Sequence, residues 1–162
     1  MPKKTKALTN EAEIRTYLFD LLARREYTKS QLMQKLRKRE ADMQVSEQLL
    51  ESFERDGYQS DQRFVESQVR QRIEMGQGRR KIEFELRQKG ISSDLADRVL
   101  EQHDVGGEKR ALEYLRKRYG REAAVDPKEK AKRFRHMVGR GYSFDEINYA
   151  LRHQNASDEG DS

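Results

Sequence analysis

The sequence predicts an all-α protein, an elongated tandem array of three three-helix units with about nine helices. Three observations lead there. Proline, which breaks helices from within, occurs only as Pro2 and Pro127 in the 162 residues. Apolar residues recur at helical spacing along most of the chain. The pattern also restates itself: Leu36, Leu86 and Met137 hold matching places 50 and 51 residues apart. A period near 50 in a helical chain marks stacked repeat units.

The first unit is expected over residues 10–57, after a flexible basic stretch at 1–9. Its first helix runs from about Asn10 to Arg25. Asn10 caps it, Glu13 closes a capping box, and Ile14, Leu18, Leu21 and Leu22 make one dry stripe. Thr28 with Gln31 starts the second helix in the same way, with Leu32 and Leu36 inward. The third is expected to start at Ser46, stapled by Val45 before the cap and Leu50 behind it, with Leu49 and Phe53 also inward. Gly57 ends it, since glycine takes the left-handed backbone without steric cost.

The second unit is expected over 58–104. Asp61 or Ser60 caps a helix with the stripe Phe64, Val65, Val69 and Ile73. Gly76-Gln77-Gly78 breaks it. A helix at about 78–89 buries Ile82 and Leu86 and ends at Gly90. Ile82 to Leu86 also alternates like a strand, but five residues do not outweigh the helical repeat around them. Ser92 then caps a short helix with Leu95, Ala96, Val99 and Leu100 inward.

The third unit is expected over 105–153. Ala111, Leu112 and Leu115 lie on its first helix. Asp126-Pro127-Lys128-Glu129 supplies a cap, a proline at the first helical position and a box, with Ala131, Phe134, Met137 and Val138 inward. Ser143 and Glu146 make the last box, and Tyr142 with Ile147 the staple. Residues 154–162 are expected to be an acidic disordered tail. One 15-residue helix is about 22 Å long, so three units end to end would reach ~70 Å.

Composition narrows the function. Hydrophobic residues make up 34% of the chain, or about 40% with its 10 glycines, and charged residues 39%. Ordinary globular chains carry roughly 45–50% apolar residues, glycine included, and about 25% charged. This balance disfavours a deep core around a large buried catalytic cavity. No apolar run approaches the ~20 residues of a membrane span, and MPKKTKALTN lacks the apolar stretch of a secretory signal. The absence of cysteine excludes disulfides and thiolate metal sites and fits the cytoplasm. His103, His136 and His153 stand far apart, as surface or helix-end residues do. No GxxxxGK[ST] is present, so a P-loop is excluded. Gly76-Gln77-Gly78 and Gly106-Gly107 offer backbone donors to a phosphate, but neither follows a strand, and both read as helix breaks. No enzyme, cofactor or metal is expected.

The charge is unevenly spread. Residues 24–39, 70–89 and 108–140 are rich in bases, whereas acids gather in 46–57 and at Asp158, Glu159 and Asp161. The candidate binding residues are Arg70, Arg72, Arg79, Arg80, Lys81, Arg87 and Lys89 in the second unit. In the third they are Arg116, Lys117, Arg118, Arg121, Lys132, Arg133 and Arg135. Such runs either attract nucleic acid or an acidic protein, or keep a helix face in water. Arg72 leans toward the dry stripe and is placed to bond carbonyls at the helix end. Phe84 falls about 200° around its helix from Ile82, so it is exposed or packed on a neighbouring unit. Tyr119, between bases, is placed to stack at an interface.

The segment Gly57 to Ser92 resembles the central signature of the RecX family of bacterial recombination regulators. The matching positions include Gly57, Tyr58, Asp61, Phe64, Val65, Arg72, Gly76, Gly78, Ile82, Leu86, Lys89, Gly90 and Ile91. Leu21-Leu22 with Thr28 to Leu36, and Glu129 to Tyr142 with Asp145-Glu146-Ile147, are similar to the family's opening and closing helix pairs. Ser60 and Phe84 depart from its pattern. The resemblance implies three tandem three-helix units. It also implies a monomeric cytoplasmic regulator that binds the RecA recombinase filament, and the DNA in part, and dampens ATP hydrolysis, strand exchange and co-protease activity in repair and the SOS response. The alternatives are a sequence-nonspecific DNA-binding module acting without RecA and a helical adaptor for another protein.

Overall fold

The computed structural model describes residues 7–103 and 107–157. The basic stretch up to residue 6, Gly106, and Asp158, Glu159 and Asp161 lie outside the described residues. Among the described residues there are nine helices and no strand. They are α1 (Glu11–Arg24), α2 (Lys29–Lys38), α3 (Met43–Arg55), α4 (Asp61–Glu74), α5 (Arg79–Gln88), α6 (Ser93–Gln102), α7 (Glu108–Tyr119), α8 (Pro127–Gly139) and α9 (Phe144–His153). The alternating run Ile82–Leu86 is helical.

Local chemistry sets the helix ends. Asn10, Thr28, Asp126 and Ser143 cap α1, α2, α8 and α9, and the boxes at Thr28–Gln31 and Ser143–Glu146 are complete. The Glu13 carboxylate accepts from the Thr9 N–H at 2.9 Å. Glu129 turns to Arg133 at 3.2 Å.

The start of α3 corrects the sequence reading. Asp42 is the cap and accepts from the Val45 N–H, and Ser46 lies fully buried inside the helix. Val45 is therefore a helical residue, packed against the core. Asp42, Ser92 and Ser143 stand 50 and 51 residues apart, so the repeat itself places the cap at Asp42. Ser46 takes the core place that Ala96 and Ile147 take later, and both of those are buried.

The same register governs the turns after α2, α5 and α8. Ala41, Ile91 and Tyr142 donate their N–H groups to Leu36, Leu86 and Met137 at 3.1, 3.0 and 3.2 Å. Glu40, Gly90 and Gly141 donate to Arg37, Arg87 and Val138. Each turn is a Schellman motif with one left-handed residue: φ is +53° at Glu40, +85° at Gly90 and +100° at Gly141.

The chain divides into two compact units, residues 1–67 with 86–95, and residues 68–85 with 96–162. In the first, Ile14, Leu18, Leu32, Leu36, Leu50 and Phe53 form the centre of the core. The Thr28 hydroxyl donates to the Lys89 carbonyl at 2.9 Å. Ser60 caps α4 by accepting from the Arg63 N–H at 3.2 Å. Asp61 instead accepts from the Lys29 N–H at 2.9 Å and from Gln59 at 2.8 Å, which fixes the start of α2.

In the second unit, Ala111, Leu115, Met137, Tyr142, Ile147 and Ala150 make a continuous core. The inward face of α8 differs from the expected one: Ala131 and Val138 are exposed, while Arg133 and Met137 are buried. Arg133 is admitted because its charge is answered. It donates to Glu129 at 3.2 Å, to the Glu122 carbonyl at 2.9 Å and to Gln154 at 3.1 Å, and it lies 4.9 Å from the Tyr119 ring centre.

Candidate partner-binding cleft

The cleft starts from the turn after α4. Gly76, at φ +79°, donates to Ile73, and Gln77 donates to Arg72. This leaves three successive carbonyls facing the third helix triplet. The Met75 carbonyl accepts from the Arg140 guanidinium. The Gly76 carbonyl accepts from the Tyr142 hydroxyl at 2.7 Å, and the Gln77 carbonyl from Arg110 at 2.7 Å. Burial pushes the Tyr142 hydroxyl up to about 12, so it stays a donor throughout the neutral range. Gly78 then donates to the Arg140 carbonyl at 2.7 Å. A Cβ on Gly78 would lie 2.4 Å from the Gly141 carbonyl carbon, so two backbones meet there and only glycine fits. The N–H groups of Gly76, Gln77 and Gly78 are thus all used inside the fold, and no phosphate cradle forms. Gly107 likewise donates to Glu146 at 2.6 Å.

Above this turn opens a cleft of about 550 Å³. It is lined by Glu74 and Met75 at the end of α4, by Arg110, Glu113, Tyr114, Lys117 and Arg118 of α7, and by Arg140 and Tyr142 from the turn before α9. Tyr114 and His136 share a 2.6 Å hydrogen bond, with their rings stacked at 5.7 Å. Burial, then the charges of Arg118 and Arg140, lower the His136 pKa, which favours the neutral imidazole.

Among the sequence-predicted residues, Arg72, Arg79, Arg116 and Arg133 make contacts inside the fold. Arg72 pairs with Glu85 at 3.0 Å and also donates to the Met75 sulfur at 3.6 Å. Arg79 pairs with Glu83 at 2.6 Å and Asp97 at 3.2 Å, and these partners, chiefly the Glu83 hydrogen bond, raise its pKa further. Arg116 holds the end of α9 by donating to the carbonyls of His153, Gln154 and Ala156 at 2.9–3.1 Å. Arg133 is buried as described above. Arg70, Arg80, Arg87, Lys117, Arg118, Arg121, Lys132 and Arg135 are exposed, and Lys81 and Lys89 are half-buried. Lys89 lies 5.5 Å from the Phe64 ring. Of the whole set, the cleft gathers only Lys117 and Arg118. Phe84 is exposed. Sequence reasoning missed Arg110, Arg140, Tyr114 and Met75 as cleft residues. Their common signal was weak: a helical stripe on α7 and one base before Gly141.

Among the described residues no group of His, Asp and Glu is placed to hold a metal, and no helix is long and apolar enough to cross a membrane. Fold and surface together define a helical-repeat protein built from three-helix domains. Residues 60–100 match the second three-helix domain of RecX, and residues 108–151 match the third. A protein named Regulatory protein RecX from Chromohalobacter salexigens is 38% identical over 90% of this chain and 95% of its own. Another of that name from Halorhodospira halophila is 34% identical over 91% and 90%. The crystal structure of RecX from Lactobacillus salivarius superposes with a TM-score of 0.76 at 18% identity, over 91% of this chain and 97% of that one. The chain belongs to the RecX family of regulatory proteins.

Proposed function

We propose that the protein is a cytoplasmic regulator, without chemistry of its own, that binds the RecA recombinase filament on single-stranded DNA and restrains ATP hydrolysis, strand exchange and co-protease activity. The observation that carries this reading is the 38% identity to a Regulatory protein RecX along nearly the whole chain. Two features support it. Arg72, Arg79, Arg116 and Arg133 show that part of the positive charge serves the fold. The exposed group, with Arg70, Arg80, Arg87, Lys117 and Arg118, remains for a partner. The test adds the protein to RecA on single-stranded DNA with ATP. Slower hydrolysis and strand exchange at stoichiometric protein are expected, and unchanged rates would refute the reading. The exposed bases also suit direct DNA binding. That alternative predicts affinity for bare DNA that persists at physiological salt and falls steeply as salt rises.

A further inference from the structure

We infer that the cleft between the end of α4 and α7 docks a carboxylate-bearing segment of a protein partner, and that nucleic acid binds elsewhere on the molecule. The inference rests on the regulatory reading above and names the chemistry of its contact. The cleft lies wholly within the second unit. Arg110, Lys117, Arg118 and Arg140 line it against only Glu74 and Glu113, so it is positive and attracts an anionic group. Arg110 and Arg140 are held in place by the carbonyls of Gln77 and Met75, which fixes the position of their charge in the lining. Lys117 and Arg118 are exposed and reach a ligand directly.

Two features choose protein over nucleic acid. Glu74 and Glu113 share the lining with the bases. A phosphodiester strand carries a charge at every nucleotide and meets that repulsion repeatedly. A peptide with isolated acidic side chains sets its charges against the bases alone. The second feature is apolar. Met75 is 49% exposed and lines the cleft with the Tyr114 ring. A flexible thioether beside an aromatic ring suits the aliphatic side chains of a protein segment.

The experiment compares wild type with Lys117→Gln/Arg118→Gln, with Met75→Gln, and with Arg70→Gln/Arg80→Gln, which removes equal charge elsewhere. Thermal melts followed by circular dichroism check that each is folded. Co-sedimentation measures binding to recombinase filaments, and fluorescence anisotropy measures binding to labelled single-stranded DNA alone. Lys117→Gln/Arg118→Gln is expected to lose about tenfold in filament affinity, with DNA affinity no lower than that of the Arg70/Arg80 variant. Met75→Gln, which keeps the charge, is expected to lose about threefold on filaments and nothing on DNA. Unchanged filament binding by both cleft variants overturns the inference, as does a parallel loss on bare DNA. Failure of wild type to bind filaments overturns the regulatory reading itself.

Discussion

At Ser46 a hydroxyl sits fully buried without a hydrogen-bond partner. A buried unsatisfied polar group costs about 1–3 kcal/mol, and alanine already fills the matching place at Ala96. Ser46→Ala is therefore expected to raise stability by about 1–2 kcal/mol in urea unfolding, and no gain would show that the hydroxyl is satisfied. His136 gives a pH signature. Its folded pKa lies below the ordinary 6.5. As the pH falls past 6.5 the unfolded chain takes up the proton first, so stability is lost down through the folded value; above 6.5 the contribution is constant. His136→Gln should flatten the stability profile in that acidic window and leave it unchanged above neutrality. Individual residues were legible in the sequence where their partners are three or four positions away, as at Thr28 and Ser143. Arg116 and Arg133 were not. An arginine reads the same whether it faces water or a carbonyl some 40 residues along the chain.

The helices were legible almost throughout, because caps, glycine stops and 3.6-residue stripes are local signals. The misplaced start of α3 shows the limit. Val45-Ser46 imitates an apolar residue followed by a cap, and only the 50-residue period points to Asp42. α8 shows another limit: its buried face includes Arg133, which no hydrophobic pattern counts. The turns after α2, α5 and α8 form the same motif, yet glycine occupies the left-handed place in two of them and Glu40 in the first. Left-handed backbone costs a residue with a Cβ roughly 1–2 kcal/mol. Glycine's freer unfolded state offsets part of that gain. Glu40→Gly is accordingly expected to raise the unfolding free energy by about 1 kcal/mol, read by calorimetry. A loss would mean that the Glu40 side chain makes a contact worth more than the strain.

Across the whole molecule the net charge of +5 understates the field, because the bases lie in runs. Reversing three exposed arginines, Arg70→Glu, Arg80→Glu and Arg87→Glu, should weaken binding to bare single-stranded DNA. It should also make the salt dependence shallower, by up to about 0.7 for each phosphate no longer neutralised. Far-ultraviolet circular dichroism should stay unchanged, and an unaltered salt slope would place the DNA-binding surface elsewhere. The sequence showed that bases were plentiful but not which were committed; the cleft, built from α4, α7 and the turn before α9, depended on long-range packing that no local pattern encodes. The two compact units do not follow the repeat boundaries: residues 68–85 belong to one and 86–95 to the other. A protease nick or a gene truncation anywhere from residue 68 to 95 therefore deprives both fragments of part of their own interior. Shortened versions cut in that interval should be degraded in the cell instead of surviving as half-length regulators, and only co-expressed halves should recover a folded protein.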